Sequence, residues 1–337
     1  MTQEKIAQYF DALTRASQSL VKDTNISYID ALIEILEDIN SHTVHREFDK
    51  PSNDVVQIIQ STIDMNWSLL SPAEKRKALQ LAVLKANRED QIPSNYQITP
   101  DGIGYLLADF INQTAGLRDG DTIIDMNVGS GNLLWTINEM LDVSIKRVGI
   151  DNDETQLALA SATDEIINSD ETTLYKEDTI SVEDAPKAKV VIADLPVGYY
   201  PLQPSDKFIT RNQNGYSFVH HLLIEKSLDF VTDDGWIYLL VPANILNGDE
   251  AKKILQFVTS QAQLKAFLQL PNEFFQDPRA AKAILVLKKQ KSKNSEVLMG
   301  QYPSLKDLKS LQNFLQEIKE WVKLENEENC CIRGIVT

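Results

Sequence analysis

Two periodicities divide the chain. From the N-terminus to about residue 90, apolar positions recur three and four apart: Ile6, Phe10 and Leu13, then Ile29, Leu32, Ile35, Leu36 and Ile39. This spacing makes one buried stripe along a helix and predicts an N-terminal helical domain over residues 1–92. One helix start is marked by Ser71-Pro72-Ala73-Glu74, a capping serine, a proline in the first helical position and a reciprocal glutamate. Beyond Gln97 a turn and a helix lead into short apolar runs. Those at 121–126, 145–151, 172–176, 188–193, 235–241, 263–269 and 281–288 read as strands, with helices starting near Gly131, Glu154, Tyr216 and Asp249. Near-continuous apolar strands alternating with helices predict an α/β fold, a doubly wound sheet of seven strands over residues 93–290. Residues 291–337 are expected to form a C-terminal helical extension, with a helix from about Ser304 to Asn326.

The stretch from Asp121 to Leu134, DTIIDMNVGSGNLL, organises the chemistry. A buried strand closes on Asp125, at the edge where open α/β sheets bind ligands. Gly129 and Gly131 then permit a tight turn that directs amide N–H groups from a helix start, with Asn132 opening the helix. About twenty residues on, Val148-Gly149-Ile150-Asp151 is a second strand closing on a carboxylate, where a ribose diol finds an acceptor. A dinucleotide site calls for a third glycine near Leu134. A methyl donor built on adenosine fits better.

Composition adds one tension. The 337 residues carry a hydrophobic fraction of 43% and a charged fraction of 24%, ordinary for a globular chain. MTQEKIAQYF has no basic start followed by an apolar stretch, so a cytoplasmic protein with no membrane association is expected. The only cysteines, Cys330 and Cys331, are adjacent, which argues against a disulfide framework and a zinc site; no metal ligands are expected. The net charge of −16 concentrates in residues 96–290, where 16 basic side chains face 28 acidic ones, a net of −12. Binding to DNA draws most of its affinity from lysine and arginine neutralising phosphates, so DNA would have to enter a local cleft.

The run KVVIADLPVGYYP supplies the second motif: a strand ends at Asp194 and continues as Leu195, Pro196, Val197, Gly198, Tyr199 and Tyr200. With this run, residues 92–290 resemble the class I S-adenosylmethionine-dependent methyltransferases that modify the exocyclic amine of adenine in DNA. The resemblance is greatest to the modification subunits of type I restriction systems. It implies a Rossmann-like methyltransferase sheet, S-adenosyl-L-methionine as cofactor, and DNA and a specificity subunit as partners. Thr99-Pro100 resembles the family's turn at the methionine end of the donor. Asp125, Asn127, Gly129, Ser130, Gly131 and Asn132 resemble its glycine loop. The resemblance also implies that Asp151 with Asn152 holds the ribose hydroxyls and that Asp178 with Thr179 lies near the donor's adenine. Asp194, Leu195, Pro196 and Tyr199 stand where the family's catalytic Asn/Asp-Pro-Pro-Phe/Tyr motif does, Asp194 also lying beside the donor. There the side chain of Asp194 and the carbonyl of Leu195 would accept the two N–H bonds of the amine and turn its lone pair toward the methyl group.

Two departures matter. Leu195 replaces the first proline and loosens the turn. Val197 replaces the aromatic face that receives a base taken from the stack, so Tyr199, or failing it Tyr200, is expected to take over. Two other readings stay open: a methyltransferase acting on protein, RNA or a small amine, and a module that binds the donor without transferring the methyl. His220 and His221 are expected to pack rather than react, and Lys75, Arg76 and Lys77 to form a solvated helix face. Lys207 and Arg211 either contact phosphates or belong to a solvated loop; Lys288, Lys289, Lys291 and Lys293 either aid solubility or rim a nucleic-acid site. With only 47 residues after Gln290, sequence recognition is expected to come from a partner subunit or the N-terminal helices, or not to exist. The oligomeric state is left open.

Overall fold

A computed structural model describes residues 2–47, 50–93, 98–167, 171–247, 251–275, 277–289 and 296–333. Four helices, α1 (Thr2–Thr24), α2 (Tyr28–Ser41), α3 (Asn53–Ile63) and α4 (Pro72–Glu89), come first. Helix α4 begins with the capping box expected at Ser71, its hydroxyl bonded to the Glu74 N–H and the Glu74 carboxylate to the Ser71 N–H. Leu13, Leu32, Leu36, Ile59 and Leu79 close the core of this bundle.

Then come α5 (Asp101–Thr114), β1 (Thr122–Asp125), α6 (Asn132–Met140), β2 (Lys146–Asp151), α7 (Glu154–Ile167), β3 (Thr172–Lys176) and β4 (Ala188–Asp194). The chain continues through α8 (Val219–Phe230), β5 (Val231–Pro242), α9 (Ala251–Gln261), β6 (Gln263–Gln269), β7 (Lys282–Lys288), β8 (Leu298–Gln301) and α10 (Leu308–Arg333). The predicted helix start at Asp249 lies outside the described residues. The strands form one sheet in the order β3-β2-β1-β4-β5-β7-β6-β8, with β7 antiparallel to both neighbours. All seven expected strands are present. An eighth, β8, pairs in parallel with β6, so the segment after residue 290 contributes to the sheet as well as a helix.

Alternation along the strands assigns the two faces. Ile123, Val190 and Ile192 meet α5, α6 and α10, where Phe110 stacks on Trp321 at 5.9 Å. Ile124, Val191 and Ala193 meet α8 and α9. The N-terminal bundle is joined to this body, because Leu159, Ala162 and Ile166 of α7 complete its core and Asn40 Nδ2 donates to the Ala162 carbonyl at 3.0 Å. Among the described residues no helix is long and apolar enough to cross a membrane. The chain runs outward from β1 to β3, crosses back to β4 and runs outward again. The crevice beyond the carboxyl ends of β1 and β4 is therefore the place where such a sheet binds ligands.

Candidate active site at the carboxyl edge of the sheet

The last residues of β1, β2 and β4 are Asp125, Asp151 and Asp194, so three carboxylates line this edge. Asp125 is 1% exposed and accepts the Asn127 N–H at 3.1 Å on Oδ1. Its Oδ2 and the side-chain oxygen of Asn127 are buried with no hydrogen-bond partner. Burial pushes the Asp125 carboxyl up to about 8, and the charges of Asp151 and Asp194 act in the same direction. A cationic group of a bound ligand would relieve that cost. Asp151 accepts Gly129 N–H at 2.9 Å and Asp153 N–H at 3.0 Å, which fastens the glycine turn to β2; burial raises its carboxyl as well. Gly131 holds φ +86°, and a Cβ there would lie 2.4 Å from the Trp135 Nε1 atom. Gly131→Ala is expected to cost roughly 2–4 kcal/mol in thermal denaturation, from left-handed strain and overpacking together. An unchanged Tm would mean that the turn relaxes freely.

Asp194 is gripped on both oxygens. Thr99 Oγ1 donates to Oδ2 at 2.7 Å and Lys282 Nζ pairs with Oδ1. Thr99 in turn accepts on its carbonyl from Asn132 Nδ2 at 2.8 Å, which links the Thr99-Pro100 turn to the helix after the glycines. The structure thus unites Thr99, Asn132 and Asp194, and separately Gly129 and Asp151, over spans of the sequence that no local pattern connects.

A family model described as N-6 DNA Methylase matches residues 93–329, more than half of the chain. The chain belongs to the N-6 DNA methylase family. By family and fold it is an S-adenosylmethionine-dependent methyltransferase. A second model, the YtxK N-terminal helical domain, matches residues 7–86. The uncharacterised protein YtxK of Bacillus subtilis is 30% identical over 331 residues, covering 96% of this chain and all of that protein. A crystal structure from Listeria monocytogenes, described as a proposed class I S-adenosylmethionine-dependent methyltransferase, superposes with a TM-score of 0.85. The two chains are 28% identical, and the match covers 95% of this one and 99% of that one. The methyltransferase subunit of a type I restriction-modification system from Streptococcus thermophilus shares the fold at TM-score 0.60 and 13% identity, over 92% of this chain and 74% of that one.

The turn at Thr99-Pro100 is braced by a residue that the periodicity placed on a solvated face. Lys75, Arg76 and Lys77 were expected on a solvated face, yet Arg76 is 3% exposed and Lys75 is buried as well. Arg76 Nη1 and Nη2 meet the two Asp101 oxygens at 3.1 and 3.2 Å, and Nε meets Glu139 at 2.6 Å. Asp101 also receives Lys77, Gln80 and Asn132, and these cations and donors hold its carboxyl down to about 2 although burial opposes them. Asp101 directly follows Thr99-Pro100, so α4 of the N-terminal bundle braces this turn. The only signal in the sequence was three basic residues on a capped helix, which does not distinguish a buried arginine from a wet one.

The other predicted residues take up distinct places. Thr179 Oγ1 donates to the Met126 carbonyl at 2.7 Å and ties the loop after β3 to β1. Asp178 accepts the Tyr200 hydroxyl and the Ile180 N–H; burial and this carboxylate raise the Tyr200 phenol. Tyr200 is therefore a buried support and no stacking face. Tyr199 is 62% exposed, with its ring on Phe218 at 4.7 Å and 22°. Gly198, at φ +153°, precedes the two tyrosines, and its carbonyl accepts the Val219 N–H at 3.0 Å. Leu195 is fully buried against α8, whereas Pro196, Val197 and Asn152 are exposed, as is Pro100, which caps α5. Ser130 lies partly buried between the two glycines. His220 and His221 pack edge to face, and burial holds His220 down to about 4. Lys288 is buried over the Trp236 ring and Lys289 donates to the Leu228 and Val231 carbonyls, so neither is free to rim a nucleic-acid site. Lys291 and Lys293 lie outside the described residues. Lys207 is exposed, and Arg211, paired with Asp206 at 3.0 Å, lines an open cleft with Asn212 and Lys253.

Proposed function

We propose that this protein transfers the methyl group of S-adenosylmethionine to the exocyclic amine of adenine in DNA. The observation that supports this most is the carboxylate of Asp194 at the end of β4, oriented by Thr99 and adjacent to the glycine turn of β1. The donor, when bound, supplies an electrophilic methyl on a sulfonium. Asp125 and Asn127 offer it buried oxygens without protein partners, Asp151 offers the remaining lone pairs of its carboxylate to a ribose diol, and the amides beyond Gly129 face it from a helix start. Pro100, Ser130, Asn132, Asn152, Asp178 and Thr179 complete the proposed donor pocket. Asp194 accepts an N–H of the amine, Pro196 stiffens the turn, and Tyr199 with Phe218 behind it offers the base a face that Val197 lacks, while the carbonyl of Leu195, a residue 0% exposed, would have to be uncovered to accept the second N–H. We assign residues 1–92 to a helical domain, 93–290 to the transfer domain and the remainder to its extension. The shared fold with type I modification subunits favours a specificity subunit or similar partner for target recognition, and a cytoplasmic setting.

A second reading, a donor-binding module without transfer, is favoured by Lys282, which occupies the carboxylate that the amine needs. Calorimetry with S-adenosylmethionine and S-adenosylhomocysteine, followed by radiolabelled transfer to unmethylated DNA, separates the two. One donor site is expected, weakened at least about tenfold by Asp151→Ala through lost charge-assisted hydrogen bonds. Absence of binding at high protein concentration overturns the assignment; binding with label entering RNA or protein but not DNA overturns the acceptor.

A further inference from the structure

No sequence motif assigns Lys282 a role, yet it makes an ion pair with Asp194. It is the first residue of β7, paired in register with Pro242 at the end of β5, and its carbonyl accepts the Leu270 N–H at 3.0 Å. The backbone is thus fixed on both sides, while the four-carbon stem leaves the ammonium free to swing. The side chains of Lys282 and Asp194 are 22% and 20% exposed, so the pair is open to an arriving ligand.

An amine that bonds Asp194 must share or take Oδ1 from this ammonium. Once displaced, the ammonium stands partly desolvated without its anion, which disfavours any acceptor that brings nothing in exchange. An acceptor carrying an anion beside its amine restores the lost pairing. We propose that Lys282 is a specificity-determining residue: it guards Asp194 and admits acceptors whose reactive amine is flanked by a phosphate, a nucleic-acid strand rather than a free nucleoside or a neutral amine. This rests on the methyl-transfer reading of the same site. It also gives a strongly acidic protein, which repels polyanions at long range, one cation placed where a phosphate is needed.

The test uses the full chain saturated with S-adenosylhomocysteine. Two ligands are titrated calorimetrically: a short single-stranded oligodeoxyadenylate and its counterpart with uncharged methylphosphonate linkages. The native protein is expected to prefer the charged strand at least about tenfold, the size of one charge-assisted hydrogen bond. Lys282→Met is expected to bring the two strands to near parity while keeping its affinity for S-adenosylhomocysteine, which reports that the site is still folded. If the native protein binds S-adenosylhomocysteine but binds neither strand, or binds both equally, the inference is overturned and the donor reading stands. A preference that survives Lys282→Met also overturns it. Failure to bind S-adenosylhomocysteine overturns the underlying reading instead.

Discussion

Asp194→Ala is expected to slow methyl transfer by about 10²–10³-fold, the usual effect of removing one preorganised polar group from a transfer site. Donor affinity should fall far less than transfer, because Asp125, Asp151 and the glycine turn keep their expected contacts with the donor although Thr99 loses its anchor on Asp194. The alanine removes both oxygens and strands two donors, Thr99 Oγ1 and Lys282 Nζ, so the fold must be checked by thermal denaturation. Asp194→Asn keeps one carbonyl acceptor and is expected to fall between the two. The family motif itself takes either residue at this position. Transfer at the native rate by the alanine variant would remove Asp194 from the mechanism. A collapse of donor affinity with transfer falling in proportion would make it a support of the donor pocket instead.

The largest effect on stability is expected at Arg76. Its guanidinium and the Asp101 carboxylate have side chains 4% and 9% exposed, and Arg76→Met leaves Asp101 and Glu139 short of a cation. Breaking one side of a buried pair costs about 3–5 kcal/mol, and Lys77, which still reaches Asp101, argues for the lower end. The pH dependence has a definite sign. The Asp101 carboxyl is held down to about 2, below its ordinary value of 3.8, so its stabilising contribution is complete above pH 4 and is lost as the pH falls toward 2. In Arg76→Met the less compensated carboxylate is protonated more readily. The gap in unfolding free energy between native and variant proteins should therefore be widest near neutrality and narrow on acidification below pH 4. Adding Asp101→Asn to Arg76→Met should recover part of the loss, since the unpaired charge is then gone. A gap that is constant with pH would show that the loss is one of packing alone.

Where strands and helices fall was legible because it depends on local pattern. Ile123-Ile124 and Val190-Val191 are buried on opposite faces and read as short continuous apolar runs bounded by turn residues, as a strand covered by helices on both faces does. The turn at Gly129 and Gly131 was legible for a related reason, since the backbone there takes positive φ at both positions. Asp125, Asp151 and Asp194 followed from these, because each is simply the last residue of its strand. Tyr200 was not legible. It stands beside Tyr199 in the sequence, and only the packing of the loop after β4 sends one ring to Asp178 and the other to Phe218. Arg76 escaped because the burial of a helix face depends on what it packs against, here α5 and α6, which lie beyond the window of any periodicity.

The sequence by itself determined the order of the elements, the glycine turn and the three carboxylates at the strand ends, since each is written within a few consecutive residues. Tertiary structure alone decided the company those carboxylates keep. Lys282 and Asp194 lie 88 residues apart, and they meet because β7 runs antiparallel beside β5. Reversing that one strand brings its first residue, rather than its last, to the edge where the parallel strands end. A lysine that reads as the start of an ordinary apolar strand becomes the counter-ion of the site.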